Sequence, residues 1–266
     1  MKTLRSKENK MTRPDDPERM MLETDKFHGG TALIVLGGSS AAGWESLRDE
    51  VKPDVILGGN GANVLVHNFD FWMCAENMTP WATKEDPRSI SLMQMFYRDT
   101  GAKSKLISHR SWSLLKNTAN CIRIMRDKNH GNGLGTTPDY FSFRDYGKGF
   151  LNGWLFKHRE AGAEVHTGTI GTHLLHLAGI LGCSQVHTIG FDLCFKDKQV
   201  HHAYPYPIYQ PDRYRTEKMF VPYEGLDTQL VWIETAQFLN EIQPYFVRDG
   251  LQWQDHSAGL LQRILK

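Results

Sequence analysis

The stretch Thr31-Ala-Leu-Ile-Val-Leu-Gly-Gly-Ser-Ser40 decides the fold. Ala32, Leu33, Ile34, Val35 and Leu36 make an unbroken apolar run, which suits a strand covered on both faces, as in a parallel sheet. Gly37 and Gly38 end the run, Ser39 and Ser40 follow, and Trp44, Leu47 and Val51 then recur at helical spacing. The order is strand, glycine turn, helix, which is the repeating unit of a layered α/β domain.

Working outward, Pro53-Asp-Val-Ile-Leu-Gly-Gly-Asn-Gly61 repeats the theme of an apolar strand running into a Gly/Asn cluster. Residues 69–77 read as a third strand and 104–108 as a fourth, 89–96 are helical in pattern, and 121–125 are apolar but too short to assign a type. Residues 129–153, rich in Gly, Asn, Asp and aromatic side chains, read as a long loop of the kind that carries function. Further on, Gly168-Thr-Ile-Gly-Thr172 opens an apolar helix that Gly182 stops, and residues 185–192 form a strand ending in Gly-Phe-Asp. A polar excursion follows over 196–223. A long amphipathic helix is expected over 226–242, a short strand over 251–254 and a last helix over 257–265. This alternation predicts an α/β, Rossmann-like parallel sheet with helices on both faces and a small C-terminal helical and strand extension. The expected division is a flexible tail over 1–28, a nucleotide-binding domain over 29–195, and a substrate loop with the C-terminal extension over 196–266.

Composition narrows the classes. A chain of 266 residues buries one large core without disulfides, and a formal net charge of +1 supplies no global field toward nucleic acid or membrane. Cys74, Cys121, Cys183 and Cys194 form no Cys-x-x-Cys pair, so they read as packed thiols of a reducing, cytoplasmic compartment. No run of 18 apolar residues suggests a spanning helix, and residues 1–26 lack the apolar centre of a secretory signal. The dinucleotide fingerprint, the lysine-bearing phosphate loop and the Gly-x-Ser-x-Gly elbow are all missing, which disfavours a dehydrogenase and a serine hydrolase. The sequence leaves the oligomeric state open.

Ligands of such sheets bind outside the carboxyl ends of the strands. That rule gathers residues 37–40, 58–63, 76–77 and 190–192 into one crevice. Gly37, Gly38, Ser39 and Ser40 suit an anion, since glycines admit a phosphate to the backbone and a helix start offers N–H groups. Asn60 suits a base, a ribose or a sugar hydroxyl. Gly168, Thr169, Gly171 and Thr172 open a helix that suits a second phosphate or a carboxylate, with either threonine as a cap. Asp192 suits Mg2+ or a substrate hydroxyl, with Glu76 as its counterpart. In the stretch after the strand, His202 suits acid–base work, and Tyr204 and Tyr206 suit a leaving phosphate. His173 and His176 read as packed helix residues.

The block from Gly168 to Phe195, together with Gly37-Gly38-Ser39-Ser40 and Asn60, resembles the MptE-like family (relatives of 6-hydroxymethylpterin diphosphokinase, also called DUF115). It is also similar to the related fold of bacterial single-domain sialyltransferases. Thr228 at the head of a helix and Ser257-Ala-Gly259 ahead of another extend the resemblance. The diphosphokinase branch implies transfer of a pyrophosphate from ATP to a small alcohol with Mg2+ held by Asp192 and Glu76. The sialyltransferase branch implies a nucleotide-sugar donor, a histidine base and tyrosines beside the leaving phosphate. That histidine aligns with Glu224, so the implied base is Glu224 or His202. The leading expectation is the diphosphokinase-type transferase. The alternatives are a glycosyltransferase using a nucleotide-sugar and a nucleotide-binding protein without catalysis.

Overall fold

The computed structural model describes residues 26–59, 61–62, 65–73, 169–195, 203 and 221–265, and the backbone alone of 105–108, 121–123 and Val231. Strand β1 (Thr31–Val35) lies inside a seven-stranded sheet and pairs in parallel with β2 (Val55–Gly59) on one side and β6 (Gln185–Ile189) on the other. Its unbroken apolar run follows from that position. Side chains alternate across a strand, so Leu33 and Val35 enter one core and Ala32 and Ile34 the other. All four are fully buried, and complete burial of a Leu or Ile contributes about 1.5–3 kcal/mol.

Beyond β2 the sheet continues through β3 (Phe71–Met73), β4 (Lys105–Ser108) and β5 (Cys121–Arg123), each parallel to its neighbour. The apolar segment at 121–125, whose type the sequence left open, therefore supplies a strand. Helix α1 (Trp44–Val51) covers one face through Leu47. Helices α2 (Ile170–Ile180), α3 (Leu230–Arg248) and α4 (Leu260–Ile264) cover the other, through Leu174, Leu177, Ala236, Leu239, Leu260 and Leu261. The Rossmann-like layering expected from the sequence is thus the observed one.

The C-terminal segment departs from expectation most at residues 221–228, and its last helix starts at Leu260 rather than Ser257 because the Ser257 hydroxyl is bonded to Asp255 and the Phe191 N–H. Residues 226–228 do not open the long helix. Instead β7 (Val221–Tyr223) and β8 (Leu226–Thr228) form an antiparallel hairpin, and α3 starts two residues later, at Leu230, and runs on to Arg248. Thr228 therefore ends a strand rather than heading a helix. Tertiary bonds explain this: the Phe195 N–H donates to the Asp227 carbonyl (2.7 Å), and Thr228 Oγ1 donates to the Leu193 carbonyl (2.7 Å). The turn between the strands places Glu224 and Gly225 both at positive φ (50° and 72°), the twist that short hairpins favour. Strand β9 (Gln252–Asp255) then joins the main sheet beside β6, so the sheet reaches past residue 195 into the C-terminal segment.

The sheet order is β5-β4-β3-β2-β1-β6-β9. The chain builds outward from β1 to β5 and then returns to the opposite side of β1 to lay down β6. The order reverses between β1 and β6, and open α/β sheets hold their ligands at that switch point.

Candidate functional site

Gly37 to Ser40 and Gly190 to Asp192 leave the sheet side by side at the switch point. The ladder between β1 and β6 continues past both strands, with Leu36 N–H donating to the Ile189 carbonyl and Gly38 N–H to the Gly190 carbonyl, each at 2.9 Å. Residues Ser39–Gly43 then wind into a 3-10 turn that feeds α1. Two glycines are required here for physical reasons. A Cβ on Gly38 would stand 2.6 Å from the Gly190 carbonyl oxygen and 2.7 Å from the Asp192 carboxylate. Gly190 has φ +79°, and a Cβ there would stand 2.5 Å from the Leu36 carbonyl oxygen.

Asp192 is 5% exposed, and its carboxylate is seated in the serine turn. Ser39 Oγ donates to Oδ2 (3.0 Å), the Ser40 N–H donates to Oδ2 (3.1 Å), and Ser40 Oγ donates to Oδ1. Ser40 Oγ in turn accepts from the Gly190 N–H (3.0 Å). A turn expected to receive an external anion thus holds an anion of the chain itself. N–H and O–H donors take three of the roughly four acceptor positions of the Asp192 carboxylate, two on Oδ2 and one on Oδ1. Among the described residues, no group of three His, Cys, Asp or Glu side chains is placed to hold a metal ion.

The start of α2 stands against the ends of β1 and β2. A Cβ on Gly59 would lie 2.6 Å from Ile170, and one on Gly171 would lie 2.5 Å from the Phe191 ring and 2.8 Å from Leu36. Gly171 is therefore small so that the helix can press onto the sheet. Thr172 is fully buried, and its Oγ1 lies 3.0 Å from Thr169 Oγ1, so neither threonine side chain caps the helix. Thr169 remains half-buried at the edge of the crevice. His173 Nδ1 lies 3.1 Å from the Thr169 carbonyl. His176 is fully buried, and burial, followed by the charge of His173, pushes its pKa down to about 3.

Glu224 is exposed at the tip of the β7–β8 hairpin, where its carbonyl accepts from Arg263 Nη1. Asn60, Glu76, Gly168, His202, Tyr204 and Tyr206 lie outside the described residues, as do the expected helix at 89–96 and the loop at 129–153. Ala203, between His202 and Tyr204 in sequence, is described. Its N–H donates to the Gly37 carbonyl (3.2 Å), and it packs with the core beneath α1.

Sequence reasoning gave Thr188 and Asp255 no role and used Ser257 only in the resemblance; the three are hydrogen-bonded together beside the switch point. The signal was available in Asp255-His-Ser257, a polar stretch at the carboxyl end of a strand, once β9 is placed beside β6. Cys183 is buried, and desolvation, with Asp54 nearby, raises its thiol to about 12. Among the described residues no helix is long and apolar enough to cross a membrane.

No protein-family model and no curated protein matches the chain, so membership of the MptE-like family is not shown. Solved structures do match. The sialyltransferase CstII from Campylobacter jejuni in complex with a substrate analogue, cytidine-5'-monophosphate, is 13% identical, covers 90% of this chain and 84% of its own, and has a TM-score of 0.45. The same sialyltransferase in complex with a trisaccharide acceptor and CMP is 13% identical, covers 88% and 84%, and has a TM-score of 0.44.

Proposed function

We propose that this chain is a nucleotide-dependent glycosyltransferase that takes a nucleotide-sugar into the crevice between the carboxyl ends of β1 and β6. The observation that carries the reading is the seating of Asp192 in the serine turn: the Ser40 N–H and both serine hydroxyls are spent on an internal carboxylate. Transfer from a triphosphate calls for many donors and bridging cations around its charge. A turn already filled by an anion serves that chemistry poorly. A nucleotide-sugar carries fewer phosphate charges and asks less of the turn. The pyrophosphate-transfer reading, with Mg2+ on Asp192 and Glu76, is the weaker one for this reason.

In this reading the phosphate of the donor lies at the exposed edge of the α2 start, near Thr169, where a helix N-terminus favours negative charge. Asn60 contacts the nucleoside. The acceptor hydroxyl attacks the anomeric carbon, its proton passes to His202 or Glu224, and the bond from that carbon to the phosphate oxygen breaks. Tyr204 or Tyr206 donates to the leaving phosphate. The bond from Ala203 N–H to the Gly37 carbonyl, which ties Ala203 to the switch point, supports giving its sequence neighbours this work. Asp192 keeps the turn in shape and takes no proton.

A release assay tests the proposal. CMP- and UDP-sugars are incubated with the full chain, with and without Mg2+, and free CMP or UDP is measured. Turnover without Mg2+ is expected, and replacing the true base, His202 or Glu224, by Ala should slow it about 10²–10⁴-fold. Binding of nucleotides with no release from any donor would instead favour a non-catalytic binding protein.

A further inference from the structure

The end of β9 and the residues after it make a hydrogen-bonded chain that the proposed chemistry leaves unused. Asp255 Oδ1 accepts from Thr188 Oγ1 (2.6 Å) and from Ser257 Oγ (2.8 Å). Each hydroxyl also accepts: Trp253 Nε1 donates to Thr188 Oγ1 (3.1 Å), and the Phe191 N–H donates to Ser257 Oγ (2.8 Å). Thr188 and Ser257 are buried, so each hydroxyl's orientation is set by these partners. One oxygen of Asp255 therefore fixes both. The same segment grips the 190–192 turn from the other side, because the Leu260 N–H donates to the Asp192 carbonyl (2.7 Å).

We propose that Asp255 is a positioning residue: through Ser257 and the Phe191 amide, its Oδ1 sets where the 190–192 turn delivers the Asp192 carboxylate to Ser39 and Ser40. The functional half of this inference rests on the nucleotide-binding reading of the crevice. The other oxygen, Oδ2, is buried without a hydrogen-bond partner. The role thus belongs to the acceptor Oδ1, and an amide in place of the carboxylate preserves it. Burial is also the chief reason the carboxyl's pKa lies above its ordinary range.

The test compares the full-length wild type with D255A, D255N and S257A. Two quantities are read: amide hydrogen exchange across residues 190–192, and dissociation constants for CMP and UDP. D255A and S257A should each accelerate exchange there and weaken binding about tenfold, the effect of one lost buried hydrogen bond. D255N, which keeps the acceptor, should stay within about twofold of wild type. The D255A/S257A double variant should be no worse than either single, because both break the same chain. Unchanged exchange in D255A, or a D255N variant as impaired as D255A, overturns the inference. Accelerated exchange with unchanged affinity overturns its functional half. If the wild type binds neither CMP nor UDP, the functional reading itself fails, and the exchange data alone then support or overturn the link from Asp255 to the turn.

Discussion

Replacing Asp192 by Ala removes the acceptor at which Ser39 Oγ, the Ser40 N–H and Ser40 Oγ converge. A hydrogen bond to a charged group contributes about 1.5–3 kcal/mol, and a buried donor left without an acceptor costs about 1–3 kcal/mol. The three bonds share one carboxylate, so their losses do not add in full, and release of a buried charge offsets part of the cost. The net expectation is a loss of about 2–3 kcal/mol. For a chain of this size that is a fall in Tm of roughly 5–10 °C. Asp192→Asn keeps one carbonyl oxygen for Ser39 and the Ser40 N–H, and Ser40 Oγ can accept from the new amide, so it should cost about 1 kcal/mol. Thermal and urea unfolding of the purified variants measure both. An alanine variant within about 0.5 kcal/mol of wild type, the range of ordinary surface changes, would refute the seating of this carboxylate, and so would an asparagine variant worse than alanine.

Three other outcomes are expected. Gly190→Ala places a side chain at φ +79° and against the Leu36 carbonyl, so it should destabilise by at least about 2 kcal/mol in urea unfolding, while a Gly250→Ala control, also at positive φ but with open space around it, should cost less. His176 is held neutral in the fold with a pKa of about 3, so the native state binds fewer protons than the unfolded chain below the ordinary value of 6.5. Its contribution is complete above pH 6.5 and is lost as pH falls toward 3, at about 1.4 kcal/mol per pH unit; His176→Gln should flatten that part of the stability–pH curve, whatever its effect at neutral pH. Cys183, buried and with its thiol raised to about 12, should resist iodoacetamide in the native protein and react fully in urea, as read by peptide mass spectrometry.

The parts of the fold that local chemistry dictates were legible. The apolar run at 32–36 announces a strand buried on both faces, and the glycines after it announce a turn, because those features lie within ten residues of one another. The place of Asp192 at the end of a strand was legible, but its seat in the serine turn was not. Its partner Ser40 lies 152 residues away, and only the adjacency of β1 and β6 brings them together. The hairpin at 221–228 was hidden for a similar reason: Leu193 holds the Thr228 hydroxyl and Phe195 the Asp227 carbonyl, and helical periodicity carries no trace of them. Gly171 has a packing role that its position in the sequence did not announce. A glycine at a helix start suggests a phosphate, yet here its missing Cβ admits the Phe191 ring. Asp255 sits on a strand whose burial alternates between exposed and intermediate, so its pattern shows a strand without showing its neighbour.

The central claim is that the β1–β6 crevice takes a nucleotide-sugar without needing a metal. Calorimetric titration of the full chain with CMP, UDP, their sugar conjugates and ATP, each with and without Mg2+, tests it most directly, with Gly38→Ala, whose Cβ would displace the 190–192 turn, as the distorted-turn control. The expected result is metal-independent binding of a CMP or UDP conjugate that Gly38→Ala abolishes. Binding of ATP alone, and only with Mg2+, would contradict the claim, and so would a complete lack of binding by every nucleotide tested.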